Sequence, residues 1–352
     1  MIHTWLQPTW QRLIELGERL PHALLFVGPA GLGKRELAEA LAARLLCDTP
    51  RADGHACEHC EPCQWRLTGN HPDLIRVVPA ADAAAAATEA EAETPARETP
   101  AKAASAQILI EQIRDLQAAL SITGHHGSRR VVVLDPAEAM NLFTANALLK
   151  LLEEPPTGCV FLLVSSAPRR LLPTIRSRCQ QWHFARPSEA ELAHWKAQAD
   201  RDTQALLALG GGMPLAAERL AAAGGGALLA RFVRDIGGLQ AADVLRLAGQ
   251  WEAWLKSKEA TASGFGLPEL SDWMQRWVSD LAAVRLGGRV RFFPAQESVL
   301  AALASRMSVA AASGCYNEVA QIHKVSRHPL SLRLVLEDML MRYARAIAGA
   351  RG

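Results

Sequence analysis

No apolar run in these 352 residues reaches the roughly 18 positions that a membrane-spanning helix needs. The opening stretch MIHTWLQPTWQRL has neither a continuous apolar core nor a small-residue cleavage site, so no secretory signal is expected. Charge of one sign is lacking too. With 38 Lys and Arg against 36 Asp and Glu, the net charge of +2 argues neither for nor against nucleic acid, and only a local patch could carry that role. Cysteine is scarce and uneven: of seven, four fall between positions 47 and 63, while Cys159, Cys179 and Cys315 are scattered. Clustering of that kind without an export signal favours metal over disulfides and points to a cytoplasmic protein. What is present is ordinary globular material, 49% hydrophobic and 21% charged, in a chain long enough for two or three domains.

The first half alternates helix-like and strand-like stretches. A helix over 10–20 precedes an apolar strand over Ala23–Val27, a helix over 35–46, the cysteine segment and a short strand over 73–79. Residues 80–106 are almost entirely Ala, Glu, Thr and Pro, too poor in apolar side chains to offset their ordering entropy, and read as a flexible insertion. A helix over 108–120, a strand over Arg130–Leu134, a helix over 143–152 and a strand over Cys159–Ser165 follow. Short apolar runs alternating with helices imply a parallel sheet covered on both faces, an α/β fold. From Ser188 onward the strand signals fade. Ser188 and Glu191 form a capped helix start, and Gly210–Gly212 and Gly224–Gly226 punctuate short helical pieces. Leu332, Leu336, Met339 and Tyr343 make a helical stripe after Pro329, and Trp251, Trp254, Trp273 and Trp277 recur at the spacing of a packed helical core. The expected division is an α/β domain over 1–186, a small helical domain over 187–228 and a helical bundle over 229–352.

Residues 24–34 read LLFVGPAGLGK, in which Gly28, Gly33 and Lys34 satisfy G-x-x-x-x-G-K between an apolar strand and a helix. Glycines let backbone N–H groups turn toward phosphate oxygens, and the helix start adds a favourable field. The next position should offer a hydroxyl to magnesium, and Arg35 stands there instead. The strand ending at Leu134 delivers Asp135, a fitting metal ligand, but Pro136 replaces the neighbouring carboxylate that would orient water. Two chemical losses in one site favour a loop kept for its shape over a working hydrolase.

Cys47, Cys57, Cys60 and Cys63 form C-x9-C-x2-C-x2-C, a spacing that lets four thiolates close on one tetrahedral ion, and structural zinc is the expected occupant. Cys47 ends the helix after the phosphate loop, so the metal would pin an excursion onto the α/β domain. Residues 58–61 hold two acids and no Lys or Arg, a poor surface for phosphates, which weighs against a zinc-dependent DNA-binding module.

Residues 146–156, NALLKLLEEPP, and Ser177-Arg178-Cys179 within RLLPTIRSRCQ complete a set that resembles bacterial clamp-loader subunits of the AAA+ family. The resemblance covers most of the first 220 residues and is loose in the last third. It implies a AAA+ α/β domain followed by a small helical lid and an α-helical collar. It assigns Gly28, Gly31, Gly33, Lys34, Asp135 and Ser165 to a degenerate nucleotide site where ATP or ADP is possible but hydrolysis is not expected. It also makes Arg178 an arginine finger that reaches a neighbour's ATP. Active members carry a further sensing arginine where Leu215 stands here, a third missing part. The implied partners are ATPase subunits of the tau/gamma type, a delta-type wrench subunit and, through the complex, a sliding clamp and primer-template DNA. An active ATPase subunit using Lys34 and Asp135 remains the alternative.

Overall fold

A computed structural model describes residues 2–83, 105–121, 129–326 and 331–348. Most of the insertion expected at 80–106 lies outside the described residues, as does Pro329. The chain divides into two compact units, Met1–Leu192 and Ala193–Gly352, so the expected lid and bundle fall largely within one unit.

In the first unit, helix α1 (Gln7–Leu16) stops where Gly17 turns to φ 51° and returns its N–H to Ile14. Strand β1 (Ala23–Val27), helix α2 (Lys34–Leu46), helix α3 (Glu61–Leu67), strand β2 (Leu74–Val77), helix α4 (Ile110–Ser121), strand β3 (Arg130–Leu134), helix α5 (Leu142–Glu153), strand β4 (Cys159–Ser165), helix α6 (Pro173–Arg178) and strand β5 (Gln180–His183) follow. The five strands pair in the order β2-β3-β4-β1-β5, and every pairing is parallel. Strand β1 sits between β4 and β5, with Val27 opposite Ser165 on one side and His183 on the other. All five residues of β1 and all seven of β4 are buried, which is why both read as continuous apolar runs.

Strand β5 escaped the sequence reading. It is the sheet's edge, its residues Gln180, Gln181 and His183 are exposed, and QQWH carries neither alternation nor an apolar run. The capped start at Ser188 is present as a reciprocal pair. Glu191 Oε2 accepts from the Ser188 N–H at 2.7 Å, and Ser188 Oγ accepts from the Glu191 N–H at 3.4 Å, opening α7 (Glu189–Gln198).

The second unit is helical among its described residues: α8 (Arg201–Leu206), α9 (Pro214–Ala222), α10 (Gly225–Gly237), α11 (Val244–Leu255), α12 (Lys258–Ser263), α13 (Leu267–Arg285), α14 (Glu297–Ala304), α15 (Val309–Val325) and α16 (Leu332–Ala348). Its centre is aromatic. Phe232 lies edge-on to Trp273 and Trp277 with ring centroids 5.7 and 5.9 Å away, and Phe293 meets Trp277 at 5.0 Å. The Trp277 indole donates to the Tyr343 hydroxyl at 2.7 Å, and that hydroxyl donates to the Ile236 carbonyl at 3.2 Å. Burial holds the Tyr343 phenol far above its ordinary value, so it stays a donor. Trp251, Trp273 and Trp277 are buried as the spacing suggests. Trp254 is only half-buried, and the Arg231 guanidinium covers its ring at 4.7 Å.

One buried carboxylate fixes the chain after α13. Asp280 accepts from the backbone N–H groups of Arg291 at 3.0 Å, Phe292 at 2.8 Å and Phe293 at 2.9 Å. Replacing Asp280 with Ala would strand three donors in a buried place, so Asp280→Ala should lower stability by about 3 kcal/mol in a urea titration. A loss under about 1 kcal/mol would mean that the loop is held by its aromatics alone.

Candidate functional site

The phosphate-type loop leaves the buried end of β1 at the carboxyl edge of a parallel sheet, the edge where such folds place ligands. Its shape depends on glycine. Gly31 and Gly33 adopt φ 82° and 90°, and a Cβ on Gly28 would stand 2.6 Å from the Phe184 carbonyl oxygen. Lys34 opens α2 and is almost fully buried. Its ammonium donates to the carbonyls of Gly28 at 2.8 Å and Pro29 at 2.7 Å and to Ser166 Oγ at 3.1 Å. The three protons of the lysine thus meet acceptors of its own chain.

The neighbouring side chain bears on whether a metal fits here. The Arg35 guanidinium forms an ion pair with Asp135, the acid that follows β3. Asp135 is only 8% exposed. Burial pushes its carboxyl above the usual range, against the pull of Arg35 and Lys34. Burial lowers the Arg35 value, and the bond and charge of Asp135 outweigh it and raise it overall. A guanidinium therefore occupies the face of Asp135 where a divalent ion would sit, and magnesium does not fit these residues. Past Pro136, the next carboxylate is Glu138. Its Oε1 accepts from the N–H groups of Ser166 at 2.9 Å and Ala167 at 3.1 Å, which ties that oxygen to the turn after β4.

Ser165 is fully buried, and its hydroxyl accepts from the Ala167 N–H at 3.2 Å. The hydroxyl that faces the loop lysine is that of Ser166, one residue on. Two further participants were illegible in the sequence. The Trp5 indole donates to the Leu32 carbonyl at 2.9 Å, and His3 stacks on Trp5 with ring centroids 4.7 Å apart. His3 also stands 2.8 Å from where a Cβ on Gly33 would be, so the amino-terminal segment lies directly against the loop. Nothing local links position 5 to position 32, and no spacing rule could have paired them.

The four cysteines do converge. The Sγ atoms of Cys47, Cys57, Cys60 and Cys63 all lie within 4.8 Å of one another, with Cys47 to Cys60 at 3.9 Å and Cys57 to Cys63 at 4.0 Å. Tetrahedral ligation at about 2.3 Å per Zn–S bond requires S–S edges of about 3.8 Å, so the donor set fits one ion of that size. Backbone N–H groups also aim at sulfur: Cys57 N–H to Cys47 Sγ at 3.2 Å, and His59 and Cys60 N–H to Cys57 Sγ at 3.4 and 3.3 Å. The Thr49 hydroxyl and these last two amides bring the Cys57 thiol down to about 5. Glu58 turns the chain between Cys57 and Cys60 at φ 68°, a conformation a non-glycine residue adopts only when its surroundings enforce it. These residues can hold a metal ion in a closed site, with no position left for a substrate.

Arg178 lies at the end of α6, about one-third exposed, donating to the Thr174 carbonyl at 3.1 Å and pairing with Glu153 at the end of α5. It belongs to a separate place on the first unit, among no residues of the loop.

Two outcomes follow from this geometry. Arg35→Ala would leave Asp135 buried beside Lys34 without its main partner, so stability should fall by about 1–3 kcal/mol. Adding Asp135→Asn should recover part of that loss in a double-mutant cycle; strict additivity would refute the coupling. The purified chain should carry one metal ion by elemental analysis, and Cys63→Ser should release it and lower the melting temperature. Full retention of both in the variant would rule out the four-cysteine centre.

A sequence profile of the family described as "DNA polymerase III, delta subunit" matches residues 6–188. The DNA polymerase III subunit delta' of Pseudomonas aeruginosa is 40% identical over 294 residues, spanning 81% of this chain and 78% of that protein. The subunit of the same name from Escherichia coli is 28% identical over 352 residues, spanning 97% and 94%. The tau subunit of Bacillus subtilis DNA polymerase III matches more narrowly, at 28% over 171 residues, 49% of this chain and 26% of that one. With a profile spanning half its length and a delta' relative of 40% identity, this chain belongs to the delta' family of DNA polymerase III subunits.

Proposed function

We propose that this chain is the non-hydrolysing, stator-type subunit of a clamp loader, helping to place a sliding clamp on primed DNA during replication. It would supply Arg178 to the ATP site of a neighbouring subunit. The observation that supports the non-hydrolysing half is the Arg35–Asp135 ion pair, which engages a carboxylate that a divalent ion would need. Pro136 and Leu215 agree with it, since neither can orient water or contact a γ-phosphate. In this reading ATP or ADP held at Gly28, Gly31, Gly33 and Lys34 would be a structural ligand and never a substrate.

The proposal for Arg178 rests on chemistry that its surroundings favour. Glu153 is the anionic partner that holds the guanidinium at the surface, and a phosphate could take the place of that carboxylate. The partners proposed are ATPase subunits of the tau/gamma type and a delta-type wrench subunit, with clamp and primer-template DNA engaged through the assembly. Zinc is the proposed metal at Cys47, Cys57, Cys60 and Cys63, in a bracing role, and the proposed location is cytoplasmic. No helix among the described residues is long and apolar enough to cross a membrane. The further division of the second unit into a lid over 187–228 and a collar over 229–352 belongs to the same proposal.

The partial match to a tau subunit favours one second reading, an ATPase subunit in its own right. Turnover separates the two. The purified chain should show no magnesium-dependent ATP hydrolysis above background, and clear turnover would establish the second reading. In the reconstituted complex, Arg178→Ala should leave assembly intact and slow clamp-stimulated ATP hydrolysis by about tenfold or more, while Arg178→Lys should rescue little, because it lacks the planar fork. An Arg178→Ala complex that loads clamps at the normal rate would remove the finger.

A further inference from the structure

The end of α13 passes into a loop whose chemistry the proposed function does not use. Between positions 282 and 294 the side chains with polar groups are three arginines, Arg285, Arg289 and Arg291, and no acid appears from 281 to 296. All three arginines are exposed, and Leu286 beside them is 69% exposed. Exposure alternates around Val290, which is half-buried between Arg289 and Arg291.

This is a built loop. α13 ends in a glycine turn: Gly287 adopts φ 76°, and the Gly288 N–H returns to the Ala283 carbonyl at 2.8 Å. Arg285 is tied through Nε to the Met307 carbonyl at 2.7 Å, and Asp280 grips the backbone of Arg291, Phe292 and Phe293. Phe293 is buried in the aromatic core, and Phe292 lies between the guanidiniums of Arg276 and Arg291 at 5.5 and 5.0 Å. Asp280 is itself buried and consumed by those amides, and Asp272 is paired with Arg276 at 2.7 Å, so neither offsets the charge that faces outward.

We propose that the loop carrying Arg285, Arg289 and Arg291 is a contact site for the phosphodiester backbone of DNA. Its polar side chains are donors only, so it suits a partner that offers only acceptors, and it has nothing with which to read base edges. Its anchoring means that little ordering cost opposes binding. An acidic protein surface would meet the same charge. The absence of any acceptor side chain in the loop, together with membership in a DNA polymerase subunit family, favours the nucleic acid. The clamp-loader reading enters only in the choice of DNA as the polyanion.

The test is fluorescence anisotropy of a labelled primed template with the reconstituted complex, from about 50 to 200 mM salt. Arg289→Ala with Arg291→Ala should reduce the salt slope by about 1.4–1.8, near 0.7–0.9 for each phosphate contact removed, and weaken binding in proportion. Arg289→Lys with Arg291→Lys should keep most of the slope. Arg201→Ala with Arg219→Ala, exposed arginines elsewhere, should leave it unchanged. Melting curves confirm folding, and a Gln pair replaces the Ala pair if that variant is unstable. An unchanged slope in a fully assembled complex overturns the proposal. So does unchanged DNA affinity with weakened subunit assembly, which would assign the loop to an acidic protein surface. If the wild-type chain does not enter the complex, the clamp-loader reading falls, and the same titration on the full chain alone decides the loop.

Discussion

A guanidinium against a buried carboxylate, Arg35 on Asp135, is the interaction around which the loop region is arranged. Asp135 leaves the end of β3 and Arg35 sits in the first turn of α2, so the pair ties the phosphate-type loop to a second strand end. With that charge matched internally, Lys34 can turn to the carbonyls of Gly28 and Pro29, and Glu138 can serve the turn after β4. A divalent ion would compete with the guanidinium for this carboxylate, and the guanidinium is covalently held at high local concentration. The glycine loop thus keeps its shape while its charges are satisfied from within the chain.

The same logic of internal satisfaction recurs elsewhere. Asp280 spends both oxygens on three backbone amides, and Tyr343 bridges Trp277 to the Ile236 carbonyl inside an aromatic core. In each case a buried polar group is fully partnered, and the surrounding segment is held in one arrangement. At the surface, Arg178 keeps a single carboxylate partner, and the loop from Arg285 to Arg291 carries three exposed arginines.

Much of the fold was legible because burial writes itself into composition. Strands β1, β3 and β4 are central, covered on both faces, and their apolar runs gave bounds that the structure reproduces. The capping pair at Ser188 and Glu191 and the cysteine spacing were equally readable, because each depends on residues close in sequence. Strand β5 was not, since an edge strand with one wet face needs no apolar pattern. Trp254 had the spacing of its three buried neighbours but lies at the rim under Arg231, a difference that helical period alone does not encode.

By itself the sequence determined the α/β order, the glycine loop, the four-thiol cluster and the presence of Arg35 and Pro136 beside the loop lysine and Asp135. Those are properties of residue type and short spacing, which local sterics and chemistry fix. Only the tertiary structure decided what Arg35 does instead, that Ser166 rather than Ser165 meets Lys34, that Trp5 and His3 lie on the loop, and that Glu153 holds Arg178. Those contacts join residues brought together by strand order and helix packing, and the energy that selects them comes from burial and charge pairing in three dimensions. A missing hydroxyl can be read from a sequence; the side chain that takes over its place has to be seen in the fold.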